Sequence, residues 1–305
     1  MFMKKSVLFF ALGMGVLLSS CDKVEQPFIN PPIDPTTCPA PTFPANTNAI
    51  RHVLIEEFTG HACNNCPGGA RELNKILKPI YEDSMIVVSI HAGTLAAPDY
   101  YGNGTTYLED FTNANSEELF NYSGFDLLLA GYPVALINRY PVFGFPYAYK
   151  PSWSNAIADE LAKPLEINLQ MIVEETPSTG GYCVHVESEF LTAMSGDFKV
   201  GVYVMEDSLV GYQLNASGSN GDTDYPTGDV PNYLHRHVLR KALNGTWGAT
   251  ALTGSAAAGD KFVNSFYFQQ DPSWDLDHIT LVAFIYDFST TTRVVHQSIE
   301  EHLIH

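Results

Sequence analysis

Apolar residues follow two regimes along this chain, dense runs in the first half and strict alternation in the second. Residues 52–58, built around Val53-Leu54-Ile55, and residues 85–90, built around Met85-Ile86-Val87-Val88, read as buried strands. Between them Ala70, Leu73, Ile76, Leu77 and Ile80 recur at helical spacing, which predicts a helix over 66–79. Strand, helix and strand in that order predict a parallel βαβ unit. A polar, glycine-rich excursion over about 92–114 is long for an ordinary connection and is expected to shape a site. A short helix over 117–122, a strand entered through Pro133, and a helix marked by Trp153, Ile157 and Leu161 complete this half.

From Leu165 onward the period changes to two. Leu165, Ile167, Leu169, Met171 and Val173 alternate with polar residues, as do Tyr182, Val184 and Val186, then Phe198, Val200, Val202 and Val204. With further runs over 261–268, 278–287 and 293–299, they predict an all-β, immunoglobulin-like antiparallel sandwich. A long connection over about 207–260 carries an expected helix over 233–243, where His235, Arg236, His237, Arg240 and Lys241 make the densest cationic patch. It also carries an acidic turn with Asp222, Asp224 and Asp229, whose register does not fit an EF-hand and which reads as solvated.

The N-terminus sets the compartment. Lys4 and Lys5 precede an apolar stretch over 7–18 that ends in Leu18-Ser19-Ser20-Cys21, the pattern of a lipoprotein signal peptide over 1–20 with lipid on Cys21. No later stretch approaches the roughly 18 apolar residues of a membrane helix. The expected membrane partner is therefore reached through the lipid. A net charge of −18 argues against nucleic acid and against electrostatic attachment to an anionic surface. The organisation expected is a proline-rich tether over 21–49, an α/β domain over 50–163 with its insertion at about 92–114, and a β-sandwich domain over 164–305.

Chemistry concentrates at Cys63 and Cys66. They lie between the first strand and the first helix, where unpaired N–H groups and the helix dipole stabilise a thiolate. Such a pair can be redox-active, a structural disulfide, or half of a zinc site with His61 as a third ligand, although no second cysteine pair is present. In the redox reading Cys63 attacks and Cys66 resolves, and Glu57 is a nearby carboxylate on the preceding strand. Glu56 is the other nearby carboxylate, and strand alternation puts it on the opposite face from Glu57. Cys38, within the tether, and Cys183 are candidate partners in a structural disulfide, an arrangement that an oxidising compartment permits. No metal ligand set and no cofactor motif is identified.

The segment resembles the thioredoxin fold. Glu57 stands six residues before Cys63, Phe58 follows it, and Gly131-Tyr132-Pro133-Val134 is similar to the loop whose proline packs beside the dithiol in that fold. The resemblance implies a thioredoxin-like domain, in which Glu57 exchanges the proton of Cys66 and Pro133 aligns the substrate disulfide. Two departures stand out, Ala62 before the pair and Asn64-Asn65 within it, and they leave redox poise and substrate open. The chain as a whole resembles the Omp-twenty-eight-type outer-membrane lipoproteins of the Bacteroidetes phylum. That resemblance rests on Cys21, on residues 53–60 leading into Cys63-x-x-Cys66-Pro67, and on His237-Val238-Leu239-Arg240 before Trp247-Gly248. It implies an outer-membrane lipoprotein associated with adhesion and with no firmly assigned reaction. Two functions of different class follow. One is thiol-disulfide exchange on envelope proteins; the other is surface adhesion or binding of a ligand, with the thioredoxin-like domain as scaffold.

Overall fold

A computed structural model describes residues 38–47, 50–176 and 180–303. The expected signal peptide, Cys21 and the first part of the tether lie outside the described residues. The strands are β1 (Val53–Thr59), β2 (Met85–His91), β3 (Val134–Ile137), β4 (Ala148–Tyr149), β5 (Ile167–Thr176), β6 (Gly181–Phe190) and β7 (Met194–Glu206). They continue as β8 (Leu209–Asn215), β9 (Gly228–His235), β10 (Val238–Leu243), β11 (Ala249–Ala256), β12 (Lys261–Gln269), β13 (Ile279–Asp287) and β14 (Val295–His302). The described residues are mostly β-sheet, with a few helices and no closed barrel among them.

A nine-stranded mixed sheet, ordered β14-β13-β7-β10-β2-β1-β3-β4 with β11 also paired to β7, carries strands from both sides of residue 163. Its two halves meet where Val238 of β10 runs parallel to Ser89 of β2, and Ser89 donates its N–H to the His237 carbonyl at 2.8 Å. The boundary expected at 163/164 is therefore crossed by one continuous sheet. β1 and β2 pair in parallel and are buried along their whole length, because both faces of the sheet are covered.

The covering differs by face. On one face, α3 (Ala114–Phe120) and residues 125–127 pack on Leu54, Phe58, Val88 and, from the other half, Tyr203, Phe284 and Tyr286. On the other face, at the β1 end, lie α4 (Trp153–Leu161) and a helix running through α1 (Cys66–Arg71), a π-helical segment Glu72–Leu77 and α2 (Lys78–Tyr81). Leu73 and Leu77 reach the core from it, whereas Ile80, expected on the same face, is exposed. At the β7 end, the three-stranded antiparallel sheet β12-β6-β5 stacks its alternating Ile167, Leu169, Val184 and Val186 on Val200, Val202 and Val204.

The helix expected over 233–243 is replaced by β9 and β10, joined through Arg236 and His237, the latter at φ 54°. Pairing decides this segment. Val238, Leu239, Ala242 and Leu243 are buried against β7, β2 and their neighbours, and that tertiary gain overrides a local pattern with helical spacing. β8 pairs with β9 as a separate two-stranded ribbon. Cys38 and Cys183 are joined, with Cα atoms 5.6 Å apart, so Cys183 is buried on the outer face of β6. The described end of the tether continues along β5, where Asn46 donates to the Leu169 carbonyl and Gln170 donates to the Pro44 carbonyl, both at 3.1 Å.

Candidate functional site

β1, paired on both sides, carries Glu57 and Thr59 toward its C-terminal end and then enters the loop that carries the dithiol. Cys63 and Cys66 form a disulfide with Cα atoms 5.4 Å apart, and Cys66 opens α1 with Pro67 in its first turn. Tyr132-Pro133 is a cis peptide immediately before β3. Glu57 and Pro133 converge across Gly69: a Cβ there would lie 2.6 Å from Glu57 Oε1 and 2.9 Å from Pro133 Cγ. Only glycine permits that approach. The four residues expected at the dithiol are thus brought into one neighbourhood.

Glu56 faces the other way. Arg139 donates from Nε at 2.7 Å and from Nη2 at 2.6 Å to the two Glu56 oxygens, and Tyr203 donates to Glu56 at 3.0 Å. The pair is buried beneath Phe125, Phe284 and Tyr286 and belongs to the core.

The dithiol is covered. Cys63 is 4% exposed and Cys66 2% exposed. On one side the excursion closes over the loop: Ala62 donates to the Leu95 carbonyl at 2.9 Å, and Tyr107 packs edge-on against His61. On the other side β8 and the residues after it act as a strap. Leu214 donates to the His61 carbonyl at 2.8 Å, Ala216 donates to the Asn64 carbonyl at 2.7 Å, and Gln213 Nε2 donates to the Cys63 carbonyl at 2.9 Å. Asn215 then holds the following turn through Asp222, donating to its carbonyl and accepting from its N–H, each at 2.9 Å. Asp222 and Asp224, expected in a solvated turn, both accept from Lys75. Asp222 is buried.

Beside the disulfide lies a cavity of about 410 Å³, lined by Glu57, Cys66, Ser89, His91, Tyr233 and His235 among others. Burial pushes the Glu57 carboxyl up to about 8, against which a Ser89 hydrogen bond acts only partly. Burial likewise holds His235 down at about 3, and it holds His91 well below its ordinary value, with neighbouring His235 acting in the same direction. Among the described residues no group of three or more His, Cys, Asp or Glu side chains is arranged to hold a metal ion.

His91, His235 and Gln213 were not anticipated from sequence. One signal for His91 was available: a parallel β1-β2 pair places Thr59 beside His91 and Glu57 beside Ser89, on one face. Gln213 left no comparable trace, since its side chain reaches the Cys63 carbonyl from a strand 150 residues away in sequence.

A β-rich protein with a buried disulfide at a strand-helix junction is the class these features define. The chain belongs to the Omp28 family, described as outer membrane protein Omp28, which matches residues 122–302. The matched region takes in Pro133 and the strands from β3 onward and begins after the dithiol. Among solved structures the chain is similar to a domain of the outer membrane lipoprotein Omp28 from Porphyromonas gingivalis, at 21% identity and a TM-score of 0.29. That match covers 45% of this chain and 88% of the other. No curated protein matches the chain. The family supports an outer-membrane or envelope location, and among the described residues no helix is long and apolar enough to cross a membrane.

Proposed function

We propose that this protein is a lipid-anchored outer-membrane binding protein that keeps Cys63–Cys66 as a closed structural disulfide. In this reading residues 50–163 are a thioredoxin-like scaffold, residues 164–305 form an immunoglobulin-like sandwich built onto the same sheet, and Cys21 carries the anchor. The observation that carries the reading is the burial of Cys63 at 4% exposure under β8. Thiol-disulfide exchange needs an attacking thiolate in line with the sulfur, and access governs its rate. Here the strap's own backbone, through Leu214 and Ala216, occupies the dithiol loop where an incoming chain would have to pair.

A second reading, exchange on envelope proteins after the strap lifts, is favoured by one observation. Glu57 is buried beside Pro133 with its proton affinity raised, which suits a proton-transfer group. Insulin reduction by the intact protein, with Cys63→Ala as control, separates the two. The binding reading expects no turnover, together with a reduction potential below about −300 mV. Cys63-dependent turnover would replace it with the second. Anchoring is tested by labelling cells with radioactive palmitate: label lost in Cys21→Ser supports it, and label retained or absent in both opposes it.

A further inference from the structure

The cavity beside the disulfide contains buried polar atoms that no described residue engages. His91 is 2% exposed and neither ring nitrogen has a hydrogen-bond partner among the described residues, and Glu57 Oε1 is in the same condition. Buried polar groups in folded proteins are overwhelmingly paired, so atoms like these mark the place of something that pairs with them. Their arrangement is regular. The parallel register sets Glu57 beside Ser89 and Thr59 beside His91, and all four line the cavity. One sheet face thus presents a two-by-two array of a carboxyl, two hydroxyls and an imidazole.

The array is neutral at pH 7, because burial keeps Glu57 protonated and His91 and His235 unprotonated. It offers donors and acceptors together. At the mouth, Lys75 is neutralised by Asp222 at 2.8 Å and Asp224 at 2.6 Å. Arg236 is likewise paired, with Asp207 at 3.2 Å, so an anion finds no free counter-charge in the lining and a cation meets carboxylates already held by Lys75. The rings of Tyr225 and Tyr233, centroids 4.6 Å apart, supply an apolar wall. The volume of about 410 Å³ lies within the roughly 300–1,000 Å³ of small-ligand sites.

We propose that this cavity binds a small neutral polyhydroxylated ligand of sugar type, its hydroxyls on Glu57, Ser89, Thr59 and His91 and its C–H face against Tyr225 and Tyr233. The proposal rests on the binding reading and adds the ligand class. Saturation-transfer NMR with glucose, galactose and N-acetylglucosamine, each at about 10 mM, tests it on the full mature chain. At least one sugar is expected to receive saturation, and both Thr59→Val and His91→Phe are expected to weaken its binding by about tenfold, the scale of one lost hydrogen bond. Thr59→Val preserves shape, so it remains informative if His91→Phe fails to fold. No transfer to any of the three, or transfer unaltered by Thr59→Val, overturns the proposal. Insulin reduction measured in parallel keeps the failures apart: silent sugars with an inert disulfide remove the ligand class alone, and Cys63-dependent turnover removes the binding reading itself.

Discussion

Leu214 donates its backbone N–H to the carbonyl of His61 at 2.8 Å, and this contact lays β8 along the loop that carries Cys63. The strand that closes the dithiol lies about 150 residues further along the chain, so closure depends on tertiary packing of the whole second half. Several consequences can be measured.

Gly68 of α1 lies directly against the strap. A Cβ there would lie 2.3 Å from the Asn220 carbonyl oxygen, so Gly68→Ala must displace either the helix or the strap. Reduction of Cys63–Cys66 by dithiothreitol is expected to speed up about tenfold in this variant, since local opening of a strap governs access. An unaltered rate in a folded Gly68→Ala protein would mean that the strap does not control the disulfide.

Arg139 and Glu56 hold the centre of the large sheet. Both side chains are buried, with bidentate geometry at 2.7 and 2.6 Å. Arg139→Met leaves a buried carboxylate without its counter-charge and is expected to cost about 3–5 kcal/mol in urea unfolding, while Arg139→Met combined with Glu56→Gln recovers most of the loss. Equal losses in the single and double variants would show that the charge pair is incidental to packing.

Stability should peak near pH 7. Burial depresses His235 from 6.5 to about 3 and His237 from 6.5 to about 4, and lowers His91 as well. The unfolded chain therefore takes up protons that the folded one refuses, and stability falls as pH drops below 6.5. Glu57 acts in the opposite sense. Its folded value of about 8 lies above the ordinary 4.5, so the folded state holds a proton that the unfolded chain releases, and stability falls as pH rises through that window. Below about pH 7 the histidines outweigh the single carboxyl, and well above it Glu57 acts alone among these groups. Urea midpoints from pH 5 to 9 are expected to trace this peak, with Glu57→Gln removing the alkaline decline. An alkaline decline that persists in Glu57→Gln would refute the assignment.

The Cys38–Cys183 disulfide closes a loop of 145 residues and fixes the described end of the tether to β6. Replacing both cysteines by serine is expected to destabilise the protein by about 2–5 kcal/mol and to expose residues 38–47 to proteolysis. Protease resistance equal to that of the wild type would show that Asn46 and Gln170 suffice to hold the segment.

Features set by side-chain periodicity were readable in the sequence. The run from Val53 to Ile55, the spacing of Leu73 and Leu77, and the alternation through Val200, Val202 and Val204 all correspond to elements with those residues buried. Alternation also separated Glu56 from Glu57 correctly, because a strand sends consecutive side chains to opposite faces. What escaped were contacts made by backbone over long separations. Leu214 and Ala216 cover the dithiol loop through their N–H groups, which every residue except proline possesses, so no residue type announces the strap. The segment over 233–243 failed for a related reason: its strands are fixed by partners in β7, β2 and β8, and its own spacing favours a helix. The sharing of one sheet by both halves hangs on the Val238-Ser89 register, which likewise has no local signature.

The central claim is that Cys63–Cys66 is a closed disulfide under the strap, and insulin reduction by the intact protein tests it most directly. The account predicts a rate indistinguishable from dithiothreitol alone, unaltered by Cys63→Ala. Turnover well above that background, and abolished by Cys63→Ala, would contradict it.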